Sequence, residues 1–152
     1  MPKVALIHPQ IPPNTGNIAR TCAATCTELH LVAPLGFELS DRYLKRAGLD
    51  YWEYVNLHCH DSLDAFYSYC QTHRGRWIGF SVHGDRTYVD CQYQPSDWLI
   101  FGSETNGLPA RVLTDCTFTV RIPMPKPEVR SLNLSVSVAV GLFEALRQLN
   151  CL

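Results

Sequence analysis

The stretch Ile122-Pro123-Met124-Pro125-Lys126-Pro127-Glu128-Val129-Arg130-Ser131-Leu132-Asn133-Leu134-Ser135-Val136-Ser137 decides how this chain folds. A strand ends at Ile122, and three prolines forbid regular structure through Pro127. Ser131-Leu132-Asn133 then opens a long helix, whose first turn offers unpaired backbone N–H groups. On a 3.6-residue wheel Leu132, Val136, Ala139, Phe143 and Leu146 share one face, while Leu134, Val138, Leu142, Ala145 and Leu149 cover another. A helix apolar on two sides, in a chain this short, either crosses the middle of the domain or lies in a subunit interface; the pattern here fits partly both.

Working outward, the chain alternates strands and helices. Lys3-Val-Ala-Leu-Ile7 is an apolar run of the buried parallel-strand kind. A proline-rich loop from His8 to Pro13 follows, and Asn14-Thr-Gly-Asn17 reads as the cap of a helix to about Thr25. Residues 28–33 read as a second strand. Ser40 and Asp41 cap a helix through Lys45-Arg46-Ala47, stopped by Gly48, and Glu53–Leu57 reads as a weak strand. Asp61-Ser62 caps a helix from Leu63 to about Thr72, strands follow at 76–82 and 98–101, Pro109 starts a short helix, and 117–122 is the last strand.

This order predicts one α/β domain spanning residues 1–152, a mostly parallel sheet covered by helices on both faces. Ligands in such sheets sit beyond the carboxyl ends of the strands. That rule selects the loops after Ile7, Phe101 and Ile122. The second reads Gly102-Ser103-Glu104-Thr105-Asn106-Gly107-Leu108-Pro109, with glycines that permit close backbone approach around a carboxylate and an amide. Taken alone it is also an ordinary turn before a helix.

Composition narrows the function classes. With 46% hydrophobic and 18% charged residues the chain is globular, and its net charge of −1 supplies no global positive field, so any nucleic acid must meet a local basic patch. No Gly-x-Gly-x-x-Gly, P-loop or Gly-x-Ser-x-Gly motif occurs, which removes support for dinucleotide, P-loop nucleotide and serine-hydrolase chemistry. The cysteines number seven, without Cys-x-x-Cys, and read as reduced thiols of a cytoplasmic protein. Cys22 and Cys26 lie one helical turn apart and Cys59 sits between His58 and His60. These groups lack matching partners at usual ligand spacings, so no metal is expected. No signal peptide and no membrane-spanning run is read, so no membrane partner is expected.

Together, Asn14-x-Gly16-Asn17-Ile-Ala-Arg20, Phe101-Gly-Ser-Glu-Thr-Asn-Gly-Leu-Pro109, and Ile122-Pro-Met-Pro followed by Ser131-Leu-Asn133-Leu-Ser135-Val resemble the three signature motifs of the SPOUT RNA methyltransferases. Pro12-Pro-Asn-Thr-Gly-Asn-Ile18 and Arg46-Ala-Gly-Leu-Asp-Tyr51 look most like the minimal tRNA 2′-O-methyltransferases that act on the wobble nucleotide, cytidine or uridine 34. The resemblance implies a C-terminal deep trefoil knot, against the usual rule that chains do not knot. It implies S-adenosylmethionine as methyl donor and a homodimer, through the C-terminal helix, whose subunits share the active site. It also implies a tRNA anticodon stem-loop as substrate.

By position, the resemblance assigns the donor to Phe80, Ser81, Gly102, Ile122, Met124, Ser131 and Leu132, and catalysis to Arg20, with Glu104, Ser131 and Asn133 around it. Phe80 and Ile122 read equally as sheet core. Arginine is a candidate base, yet its guanidinium stays protonated in proteins, so orientation and stabilisation of a developing alkoxide serve as well. For RNA the candidates are Asn14, Asn17, Arg20, Lys45, Arg46, Arg86, Arg121, Lys126 and Arg130, with Tyr51, Trp52 or Tyr88 to stack a base. The alternatives are 2′-O-methylation elsewhere in tRNA or in rRNA, or an idle RNA-binding protein of the same fold.

Overall fold

The computed structural model describes residues 1–40, 42, 44, 46 and 49–152. The helix expected from Ser40 to Ala47, and Lys45 with it, lies largely outside the described residues. Among the described residues seven parallel strands form one sheet: β1 (Lys3–Ile7), β2 (Leu29–Val32), β3 (Leu57–His60), β4 (Trp77–Phe80), β5 (Arg86–Thr87), β6 (Trp98–Phe101) and β7 (Phe118–Arg121). Their order across the sheet is β3-β2-β1-β6-β4-β7-β5. Helices α1 (Pro12–Ala24), α2 (Leu63–Thr72), α3 (Ala110–Asp115) and α4 (Leu134–Gln148) cover it.

The side-chain period of two sorts each strand into two cores. Val4, Leu6, Leu29, Leu31 and Phe101 pack with Ile18 and Cys22 of α1 and with Val138, Leu142 and Leu146 of α4. Ala5, Ile7, Val32, Trp98 and Ile100 face the other way, onto Phe66 of α2 and Val112 of α3. Burial pushes the Cys22 thiol up to about 12. Gly141 lets α4 sit against β4 and β6, since a Cβ there would lie 2.5 Å from Phe80 Cζ.

Three expectations are corrected. Helix α1 begins at Pro12, before Asn14, because prolines at its first two positions lack only N–H groups that would be orphaned anyway. The strand expected at 53–57 lies at Leu57–His60, while Leu49–Tyr54 forms a 3-10 turn. The two-residue strand β5 leaves no periodic signal and was not expected. By contrast α2 starts as expected, Ser62 Oγ accepting from Ala65 N at 3.0 Å. All seven cysteines are free.

One face of α4 is buried through Val138, Leu142, Ala145 and Leu146, while Val136 and Phe143 remain 47% and 43% exposed. The two-faced helix therefore has one covered face and one open one. Among the described residues no helix is long and apolar enough to cross a membrane.

Candidate active site

Because every strand is parallel, the loops after β1, β6 and β7 emerge at one edge of the sheet. In the first loop His8 takes a positive φ of 55° and the chain turns into α1. Ile11, at the N-cap position, has no side chain able to cap the helix. The cap comes from the second loop, 93 positions away in sequence. Glu104 accepts from Gln10 N at 2.8 Å and from Ile11 N at 3.0 Å, and its carboxylate also accepts from Asn14 Nδ2 at 3.3 Å. A carboxylate at a helix N-terminus is favoured by both the orphan donors and the helix dipole.

The second loop is held by its own backbone. Ser103 and Gly107 exchange N–H···O bonds of 3.2 and 3.0 Å, Asn106 N donates to Ser103 Oγ at 3.1 Å, and Gly107 takes φ 65°. A Cβ on Gly102 would lie 2.0 Å from Gly107 C, so a side chain there would push the loop off the strand end.

The third loop runs through the prolines to Asn133, whose Oδ1 caps α4 by accepting from Ser135 N at 2.8 Å. Its Nδ2 donates to Asn14 Oδ1 at 3.0 Å. Glu104, Asn14 and Asn133 thus form one chain of hydrogen bonds joining the three loops. The neutral amide of Asn14 links a carboxylate acceptor to an amide donor, a role its dual donor and acceptor capacity suits.

Between these loops opens a cavity of about 570 Å³. All seven residues expected to hold the donor line it: Phe80, Ser81, Gly102, Ile122, Met124, Ser131 and Leu132. Glu104, Asn133, Asn14 and Arg130 line it too. Its size is within the range of small-molecule sites, and apolar walls from Phe80, Leu108, Ile122 and Leu134 face a polar rim of Ser81, Ser131 and Asn133. That combination suits an adenosine with a polar amino-acid tail. A neighbouring groove is lined by Arg121, Lys126 and Arg130, with Arg121 also donating to Gly84 O at 2.8 Å.

Other expected residues stand apart. Arg20 is exposed on α1, its guanidinium carbon 5.0 Å from the Tyr51 ring centroid, and it does not line the cavity. Asn17 and Arg46 are exposed. Arg86 lies over Phe118, 4.2 Å from the ring centroid. Tyr51 is exposed, whereas Trp52 and Tyr88, expected to be exposed, are half-buried against the core. The role of Asn14 as the junction between loops, and the wall residues Leu108 and Leu134, went unread; both leucines sit inside the quoted motifs, which was the available signal.

The SpoU rRNA methylase family profile matches residues 1–143. A Burkholderia ambifaria tRNA (cytidine(34)-2′-O)-methyltransferase is 48% identical over 146 residues, 95% of this chain and 94% of that one. A Synechocystis protein, 60% identical over 100% of this chain and 99% of its own, carries the same designation provisionally. Among solved structures, one described as giving insight into 2-OH methylation of C/U34 on tRNA superposes with TM-score 0.94 and 48% identity, covering 99% of this chain and 97% of that one. The Streptomyces viridochromogenes SpoU methyltransferase AviRb in complex with AdoMet superposes with TM-score 0.89 and 26% identity, covering 99% of this chain and 58% of that one.

Proposed function

The chain belongs to the SpoU rRNA methylase family and is a methyltransferase; from that premise we propose that it methylates the ribose 2′-hydroxyl of the wobble nucleotide of tRNA, cytidine or uridine 34. The observation that carries this reading is the cavity at the junction of the three motif loops, which gathers every residue expected to hold S-adenosylmethionine. The full-length similarity to tRNA (cytidine(34)-2′-O)-methyltransferases supports the substrate.

S-adenosylmethionine, when bound, supplies an electrophilic methyl group on a sulfonium. The chain's own residues then have three tasks. Phe80, Ile122 and Leu134 give an apolar slot for the adenine ring, and the Gly102 backbone admits it closely. Glu104 and Asn133 act as positioning residues, since their polar atoms are committed to the N-termini of α1 and α4 and to Asn14. Arg20 touches the ribose or its phosphate and stabilises the developing alkoxide, a role a permanently charged guanidinium fills better than proton abstraction.

Arg20 lies outside the cavity of its own chain, so we infer that the site is completed across a homodimer. The open face of α4, with Val136 and Phe143 exposed, is the surface for that second copy. The order β6-β4-β7, with the chain returning from β7 to the loops beside β1, supports the trefoil-knotted path of this fold. Arg121, Lys126 and Arg130 are the proposed phosphate contacts of an anticodon stem-loop. An enzyme of this substrate works in the cytoplasm.

The test is transfer of labelled methyl from S-adenosylmethionine to tRNA of a strain lacking this gene, followed by mapping of the modified nucleotide. A 2′-O-methyl at position 34 supports the reading, and a label elsewhere in tRNA or in rRNA moves it to the alternatives.

A further inference from the structure

A second group of chemistry-bearing side chains lies at the far edge of the sheet, remote from the cavity in strand order. Parallel pairing sets His30 opposite His58 and Val32 opposite His60, so imidazoles distant in sequence meet on one face of β2 and β3. That face is the one covered by α2, and Phe66, Tyr69 and Trp98 surround His30. The His30 and His58 rings stack with centroids 4.5 Å apart and planes 8° from parallel. Glu28, just before β2, brings Oε2 to 3.4 Å from His30 Nε2 and 4.0 Å from His58 Nε2.

We propose that Glu28, His30 and His58 form a binding site for a zinc-type divalent metal, with two imidazole nitrogens, one carboxylate oxygen and a fourth position open to water. Their ligand atoms lie within 4.8 Å of one another. Bonds of about 2.0 Å in a tetrahedral shell separate ligand atoms by about 3.3 Å, so binding requires the two stacked rings to turn out of parallel until their in-plane lone pairs converge beside the carboxylate.

Two further observations point the same way. His58 Nε2 is buried and meets no hydrogen-bond partner among the described residues, although it is directed at this group. A metal supplies the partner that a buried nitrogen requires. His30 Nδ1 lies 3.0 Å from His60 Nε2. A metal would replace the 3.4 Å hydrogen bond from His30 Nε2 to Glu28 and leave the ring proton on Nδ1, where it donates to His60 Nε2, the arrangement by which an outer histidine fixes a ligating one.

The side chains of His58 and Glu28 are 33% and 36% exposed, which leaves a path from solvent. Zinc with three protein ligands is the best match to this donor set. Cys59 alternates to the opposite face of the strand and takes no part. The site would clamp the edge strand β3 to β2 and has no contact with the methyl-transfer cavity.

The experiment titrates zinc into the whole chain by calorimetry and thermal unfolding, and cobalt(II) as a spectroscopic stand-in. The proposal expects one equivalent bound, a raised unfolding midpoint, and cobalt bands of a four-coordinate nitrogen and oxygen site without thiolate charge transfer. His58→Ala, and the isosteric surface change Glu28→Gln which keeps the fold, each weaken binding by about tenfold or more. Absence of saturable binding overturns the proposal. So does affinity unchanged in both variants, or a thiolate band that places the metal on a cysteine.

Discussion

Asn133 and Asn14 are joined by a single hydrogen bond, Nδ2 to Oδ1 at 3.0 Å, across 119 positions of sequence. Through it the N-terminus of α4 is tied to the first turn of α1, and through Asn14 Nδ2 to Glu104. The cavity exists because these three loops are held in one register.

Replacing Asn14 by Ala removes both bonds and leaves Glu104 and Asn133 each short of a partner. A loss of about 2 kcal/mol is expected. Asn14→Asp is expected to cost more, since it sets a second carboxylate beside Glu104. Urea unfolding of both variants measures the order, and donor titration should show weaker binding in both.

Gly102→Ala places a Cβ 2.0 Å from Gly107 C. Backbone cannot yield there without moving the second loop, so the expected stability cost is about 1–3 kcal/mol. Affinity for S-adenosylmethionine should fall at least about tenfold, or about 1.4 kcal/mol. Calorimetry with the donor checks this.

Phe143→Asp puts a charge on the open face of α4, where Phe143 is 43% exposed in the single chain. The expected outcome is a monomer by light scattering, with helix content retained and methyl transfer lost. A dimer of unchanged stability would place the second copy elsewhere.

Thiol chemistry separates the cysteines. Burial pushes Cys22 and Cys116 up to about 12, so at pH 8 on the order of one in ten thousand is thiolate. Cys26, Cys59 and Cys151 are exposed, and partial burial with Asp61 close by raises the Cys59 thiol. Alkylation read by mass spectrometry should label Cys26 and Cys151 first, Cys59 more slowly, and reach Cys22 only on unfolding.

Much of this was legible in the sequence because the α/β rule is geometric: parallel strands put their outgoing loops at one edge, so three loop motifs could be assigned to one cavity. What stayed hidden depends on contacts between distant positions. The resemblance places Glu104 in the group around Arg20, but nothing in the sequence says that it caps α1 because Ile11 cannot. The strand Leu57-His-Cys-His60 was misplaced because its alternate residues are imidazoles, which satisfy a buried face without looking apolar. Trp52 and Tyr88 were expected to be exposed because an aromatic letter does not reveal how far the side chain sinks against the core.

The central claim, ribose methylation at position 34, is tested most directly with anticodon stem-loops carrying a single 2′-deoxy nucleotide. With wild-type chain and labelled S-adenosylmethionine, deoxy substitution at position 34 should abolish transfer, while the same change at position 32 leaves it. Arg20→Ala should bind the unmodified stem-loop and transfer nothing. Transfer to the loop lacking the 2′-hydroxyl at 34 would contradict the account.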